Sequence, residues 1–143
     1  MHSTTKNSLD LKWVRVSLGI VYFWFGALKF FPNLSPAQQI AMETIERLSF
    51  DLIPGYQGLI LLAVWEVTLG LVFILGLRQR IWLVLLFIHL IGTFTPLFLF
   101  PSLSFHDFPF GFTLLGQYIV KNLVLVAAAL VLWNSEPSPK SAI

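Results

Sequence analysis

Three ionisable side chains, Lys29, Glu66 and Lys121, lie within or beside long apolar segments, where charged residues are rare. A charge at the centre of a bilayer costs about 2.5 kcal/mol or more, so such residues need partners or a watered cavity. Two lysines against one carboxylate leave a surplus positive charge. A buried cluster of these three charges would suit an anionic or carbonyl-bearing ligand, such as a quinone headgroup or a small acid.

Polar residues accompany these charges at helical spacing. They recur three or four residues apart within each segment, which places them on one helical face, as with Tyr22, Gly26 and Lys29. If the faces converge, the predicted ligand-binding residues are Lys29, Glu66, His89, Thr93, Gln117, Tyr118 and Lys121. Gly26 and Gly70 are instead predicted helix-packing residues, because small residues let helices approach closely in lipid.

Two other interpretations of the charges stay open. Glu66 and one lysine could form a structural ion pair that fixes helix register, while the other lysine extends its ammonium to the membrane surface. The charges could also belong to a proton or ion path. No catalytic residue can be assigned from the sequence, so whether the chain is an enzyme stays open.

The chain offers few groups for metal or cofactor chemistry. It has no cysteine, which excludes disulfides and thiolate metal sites. A lone histidine such as His89 more often bonds a neighbour than a metal, and His106 lies in a connection, so neither metal nor haem is expected. No cofactor motif is evident, and quinone is the one cofactor that the charged site would suit. The basic residues are scattered, which argues against nucleic-acid binding.

Composition indicates the elements that must position these residues. Hydrophobic residues make up 57% of the 143 residues and charged residues only 11%, against about 25% in soluble domains. Four apolar stretches, at residues 14–31, 59–77, 81–100 and 117–133, each approach the ~20 residues that span a bilayer. We therefore predict a single all-α domain, an integral membrane four-helix bundle whose first partner is the lipid bilayer.

The connections add one further element. Residues 35–49 carry an N-cap signal at Ser35 and apolar residues at helical spacing, which predicts a short amphipathic helix on the outer membrane surface. Aromatic residues dominate the third connection, at residues 101–116, and predict a loop at the headgroup level. Residues 78–80 form a very short second connection. Residues 1–7 and 135–143 are predicted to be disordered tails.

Basic residues near the segment ends predict the orientation. The N-terminal tail, the second connection and the C-terminal tail hold Lys6, Lys12, Arg15, Arg78, Arg80 and Lys140, whereas the other two connections hold only Arg47. Because cytoplasmic loops carry the excess of lysine and arginine, both termini should face the cytoplasm. Lys29, Glu66 and Lys121 then lie in the outer half of the membrane.

Four motifs together resemble the DoxX-like membrane proteins: RVSLGIVYFWFGALKFFP from Arg15, WEVTLG from Trp65, GTFTP from Gly92 and GQYIVKN from Gly116. The resemblance implies a bacterial inner-membrane protein, similar to the small subunit of thiosulfate:quinone oxidoreductase and to membrane partners in oxidative-stress complexes. It singles out Gly26, Lys29, Glu66, Gly70, Thr93, Tyr118 and Lys121. The absence of cysteine argues against thiosulfate or sulfane-sulfur chemistry by this chain alone.

The expected function is thus a membrane subunit that supports quinone-linked redox or oxidative-stress chemistry through a polar pocket in the outer half of the bundle. If it takes part in catalysis, it does so as a membrane subunit of an oxidoreductase, in a larger membrane complex or as a homo-oligomer. A non-catalytic scaffold or assembly subunit is the first alternative. A small-solute transporter component is the second, disfavoured because unbroken helices without charged rings give little pore.

Overall fold

The structure is a computed structural model that describes residues 2–77 and 80–136. Helices dominate it, and one short antiparallel hairpin joins β1 to β2. In chain order the elements are α1 (His2–Leu28), α2 (Gln38–Leu48), α3 (Gly55–Leu75), α4 (Arg80–Phe94), α5 (Pro96–Leu99), α6 (Pro101–Ser104), β1 (Phe105–Asp107), β2 (Gly111–Phe112), α7 (Leu114–Val120) and α8 (Leu123–Ser135).

Within the described residues, four helical stretches are long and apolar enough to cross a membrane: Leu9–Leu28, Gly55–Leu75, Arg80–Leu99 and Leu114–Ser135. Large apolar side chains on these spans, such as Trp24, Leu61 and Ile91, are exposed on the surface of the protein. That surface suits lipid and not water. The predicted all-α membrane bundle is confirmed, and the chain is a multi-pass membrane protein.

The closest helix contact joins α1 to α3 and depends on glycine. A Cβ on Gly70 of α3 would lie 2.4 Å from the backbone nitrogen of Phe23, and a Cβ on Gly26 of α1 would lie 2.8 Å from the Cβ of Glu66. Only a residue without a side chain permits this approach. Arg15, in the middle of α1, ties this helix to the end of α3, because its guanidinium donates to the carbonyl of Ile74 over 3.4 Å.

The helices α4 and α8 complete the bundle. They pack on each other, α8 also packs on α1, and α4 contacts α3, so that each span contacts two others. The buried core between them consists of Leu18, Tyr22, Leu69, Phe73, Leu83, Leu86, Leu90, Ala129 and Leu132. We call the end of the bundle that α2 covers the α2 end; there α1 ends, α3 begins, α5 ends and α7 begins.

Two spans are interrupted near the α2 end. The third breaks at Thr95, since Pro96 has no amide hydrogen to continue the ladder, and the hydroxyl of Thr95 donates to the carbonyl of Gly92 over 2.7 Å. The fourth breaks between α7 and α8, where the amide of Asn122 donates to the carbonyl of Ile119 over 3.0 Å, a tighter three-residue step. Both interruptions are local, because Arg80–Leu99 and Leu114–Ser135 each remain one candidate membrane span.

The helix predicted at residues 35–49 is shorter and begins differently. It spans Gln38–Leu48, and Ala37 is its N-cap residue, without a side-chain cap. The predicted cap at Ser35 is wrong: the amide of Gln38 donates to the backbone carbonyl of Ser35 over 3.2 Å and not to its side chain, and the side-chain oxygen of Gln38 accepts from the amide of Asn33 at 2.9 Å. Ile40 and Thr44 are buried, so α2 packs one face against the bundle, as an amphipathic helix must.

The ends and connections also differ from prediction. The helix α1 begins at His2, and the predicted disorder of residues 1–7 stays a prediction. The helix ends at Leu28 and not at residue 31, where the approach to Pro32 tightens the chain into three-residue turns. The aromatic connection folds into α6 and the hairpin. Most of the predicted second connection and C-terminal tail, residues 78–79 and 137–143, lies outside the described residues.

Candidate ligand-binding site

Lys29 follows the last residue of α1 and turns its side chain back into the bundle. Its ammonium donates to the carbonyl of Phe25 over 3.3 Å and forms an ion pair with a carboxylate oxygen of Glu66. The glycine contact between α1 and α3 makes this possible, because Gly26 places the two backbones close enough for the side chains to meet.

Glu66 has a second partner on α4. Its other carboxylate oxygen lies 3.4 Å from Nε2 of His89. The side chains of Lys29, Glu66 and His89 are 9%, 9% and 7% exposed, so the whole Lys29–Glu66–His89 cluster is buried. Within it, the charges of Lys29 and Glu66 offset each other, which is what allows both to be withdrawn from water.

Beside this cluster lies a cavity of about 420 Å³, within the usual size range of ligand pockets. Every span contributes to its wall, and Ile40, Ala41, Thr44, Ile45 and Leu48 of α2 form its roof. Most of the wall is apolar. Leu48 and Lys121 are exposed as well as lining, so the cavity reaches the protein surface.

Lys121 does not join the buried cluster. Its side chain lies at the break between α7 and α8, where the residue is exposed, and no ion pair within the described ranges involves it. The predicted three-charge cluster is therefore wrong, and His89 occupies the place expected for Lys121. Lys121 nevertheless lines the cavity. The predicted surplus positive charge therefore lies in the exposed part of the cavity wall and not in the buried cluster.

The other predicted ligand residues divide in two. Thr93 and Tyr118 line the cavity; the hydroxyl of Thr93 donates to the carbonyl of Leu90 over 2.7 Å, and Tyr118 packs edge-on against Phe25 with ring centroids 6.0 Å apart. Gln117 does not line it. The Gln117 side chain is exposed and donates to the carbonyl of Phe112 over 3.4 Å, because it points to the hairpin side of α7.

Sequence reasoning missed part of the wall. Tyr22, Asn122 and the inner face of α2 line the cavity but were not predicted to bind a ligand. The helical spacing of Tyr22 and Lys29 was a usable signal. The contribution of α2 had no comparable signal, since an amphipathic helix at a membrane surface can cover lipid as readily as protein.

The arrangement can bind an amphipathic molecule with its apolar part among α2, Leu62 and Leu125 and its polar part near Lys121. Across residues 2–77 and 80–136, no three His, Cys, Asp or Glu residues are grouped so that they could hold a metal ion. Glu66 is engaged with Lys29 and His89, which leaves Lys121 as the charged group that can contact a ligand.

Comparison with known protein families gives a match. The DoxX family model matches residues 11–102, more than half of the chain. That range contains the Lys29–Glu66–His89 cluster and α2, whereas Tyr118 and Lys121 follow it. No curated protein and no solved structure matches the chain.

Proposed function

The chain belongs to the DoxX family of membrane proteins, and on that premise we propose that it is a membrane subunit that binds a quinone headgroup and so supports redox chemistry. The binding site is the cavity beneath α2. The same cavity would accept other small amphipathic molecules that bear carbonyl or carboxylate oxygens.

The observation that carries this proposal is the division of the cavity wall into an apolar part and a polar part. A quinone combines a planar ring with carbonyl acceptors and an apolar tail, which matches such a wall. Ile40, Ile45 and Leu62 offer apolar contact, and Lys121 offers a donor that no ion pair among the described residues engages. A few polar groups in a mainly apolar cavity are typical of small-molecule sites.

The proposed location is the bacterial inner membrane, with both termini in the cytoplasm and the α2 end facing outward. The uneven distribution of basic residues supports this orientation. Two of those residues, Arg78 and Lys140, lie outside the described residues. A quinone pool in the bilayer could then reach the cavity at the outer half of the membrane.

The proposed role requires a partner. The chain has no cysteine, so it holds no thiol that could donate electrons. Electrons for a bound quinone would come from the redox group of a partner protein, in a larger membrane complex. In this arrangement the chain binds and orients the quinone, and its apolar walls keep the ring away from bulk water.

A scaffold role is the second candidate, and the Lys29–Glu66 ion pair favours it. The two charges engage each other and join α1 to α3, as a purely structural pair would. Purification in mild detergent, followed by mass spectrometry of the lipid extract, separates the two roles. Quinone at stoichiometric amount supports the binding site, whereas a stoichiometric large partner without quinone supports the scaffold.

Replacing Lys121 with methionine should weaken binding of decylubiquinone, a short-tailed benzoquinone, by about fivefold. Fivefold corresponds to about 1 kcal/mol, which is below the ~1.5–3 kcal/mol usual for a hydrogen bond to a charged group because Lys121 is exposed. Stability should change by no more than about 0.5 kcal/mol, since the substitution breaks no ion pair. Equilibrium titration of the full chain in lipid nanodiscs measures the affinity.

Lys12→Met is the matched control, because Lys12 is also exposed but lies towards the other end of α1, away from the cavity. It should leave the affinity unchanged. Equal affinity in wild type and Lys121→Met would contradict the role given to Lys121.

A further inference from the structure

Tyr22 is a buried polar residue in the wall of the cavity. Its exposed fraction is 5%, and its ring belongs to the apolar core of the bundle. The ring also packs edge-on against the imidazole of His89, with centroids 5.4 Å apart and planes at 69°. The contacts with the core and with His89 hold the ring in place, and they therefore fix the position of its hydroxyl oxygen.

The Tyr22 hydroxyl makes no hydrogen bond to any described residue. It is not enclosed by packed atoms, because among the described residues the one fully buried side-chain nitrogen or oxygen without a partner is Nε of Arg80. The hydroxyl therefore borders open space. Since Tyr22 lines the cavity, that space is the cavity.

The Tyr22 hydroxyl meets the cavity as a donor without an acceptor among the described residues. Phenylalanine would fill the same volume, so what the hydroxyl adds at this position is the capacity to donate to a molecule in the cavity. The acceptor must come from that molecule, because Glu66, the one carboxylate that the described residues place in the cavity wall, is engaged by Lys29 and His89.

Three other side chains in the cavity wall can also donate hydrogen bonds. Tyr118, Lys121 and Asn122 also line the cavity without hydrogen bonds from their side chains to the described part of the chain. Each can donate, and the ammonium of Lys121 can do nothing else. The wall thus presents a surplus of donors, which suits a ligand oxygen that only accepts.

We infer that Tyr22 is a specificity-determining residue of the cavity, whose hydroxyl donates a hydrogen bond to a carbonyl or carboxylate oxygen of an amphipathic ligand. The inference rests on the proposed function in that the cavity must bind a ligand, but it does not require the ligand to be a quinone. Carbonyl and carboxylate oxygens both accept hydrogen bonds, so two probes distinguish the two kinds of ligand. Decylubiquinone carries carbonyl oxygens, and decanoate carries a carboxylate.

The test is Tyr22→Phe in the full chain in lipid nanodiscs, because this change removes the hydroxyl and leaves the ring. We expect the affinity for the binding probe to fall about fivefold, the effect of one hydrogen bond to an acceptor. The melting temperature of the ligand-free protein should stay equal, since the hydroxyl that is removed bonds no described residue. A purely structural hydroxyl would give the opposite pair of results.

Tyr56→Phe is the matched control, because Tyr56 is exposed in the first turn of α3 and does not line the cavity; it should change neither quantity. Unchanged affinity in Tyr22→Phe overturns the inference, and so does failure of that variant to fold. If decanoate binds with the Tyr22 effect and decylubiquinone does not bind, the inference holds while the quinone role fails. Binding of neither probe to wild type overturns both.

Discussion

Glu66→Leu should lower the free energy of unfolding by about 3–5 kcal/mol, because it leaves the ammonium of Lys29 buried without a counter-charge. Lys29 is only 9% exposed, and after the change the carbonyl of Phe25 is its one remaining hydrogen-bond partner among the described residues. Unfolding in mixed detergent micelles, followed by circular dichroism, measures the loss. This is the largest single effect expected from a change at the cluster.

The double variant Lys29→Met/Glu66→Leu is the matched control. It removes both charges and keeps apolar volume, so most of the lost stability should return. If the double variant loses as much stability as Glu66→Leu and Lys29→Met lose together, the ion pair does not couple the two residues. In that case the contact between Lys29 and Glu66 would not be the interaction that holds the cluster together.

Gly70→Ala should destabilise the bundle by about 2–3 kcal/mol, the upper part of the range for overpacking a filled site. The added methyl group would lie 2.4 Å from the nitrogen and 2.7 Å from the Cα of Phe23, and backbone cannot move aside as a side chain can. Because α1 must shift, Lys29 should also lose its position beside Glu66. The same unfolding measurement applies.

Gly92→Ala provides the comparison on α4. A Cβ at Gly92 has no heavy atom within 4 Å, so the change should alter stability by no more than about 0.5 kcal/mol. Similar losses from the two substitutions would mean that helix propensity, and not the contact between α1 and α3, determines the effect at Gly70.

The membrane fold could be predicted from the sequence because bilayer thickness sets the length of an apolar span. The same physics identified Lys29 and Glu66, since charges in such spans need a partner. The sequence also indicated Gly26 and Gly70 as packing residues. It could not indicate that Gly26 packs against α3 and Gly70 against α1. Which helices pair depends on the fit of their whole surfaces.

Lys121 shows why the site was predicted only in part. The sequence predicts its depth from a single helix at residues 117–133, but the fourth span begins at Leu114 and breaks next to Lys121. The break follows from local hydrogen bonds that periodicity does not record. Tyr22 is a different case: its helical spacing places it on the face of Lys29, but a buried aromatic residue in a membrane helix usually belongs to the core, and only the structure places the cavity beside it.

Photolabelling with an azido-benzoquinone tests most directly whether the cavity beneath α2 binds a quinone. The full chain in lipid nanodiscs would be labelled with and without excess decylubiquinone, and modified peptides mapped by mass spectrometry. We predict label at residues 37–48 and 118–125 that decylubiquinone displaces. Displaceable label confined to surface positions such as Leu61 and Ile88, or no displaceable label at all, would contradict the proposed binding site.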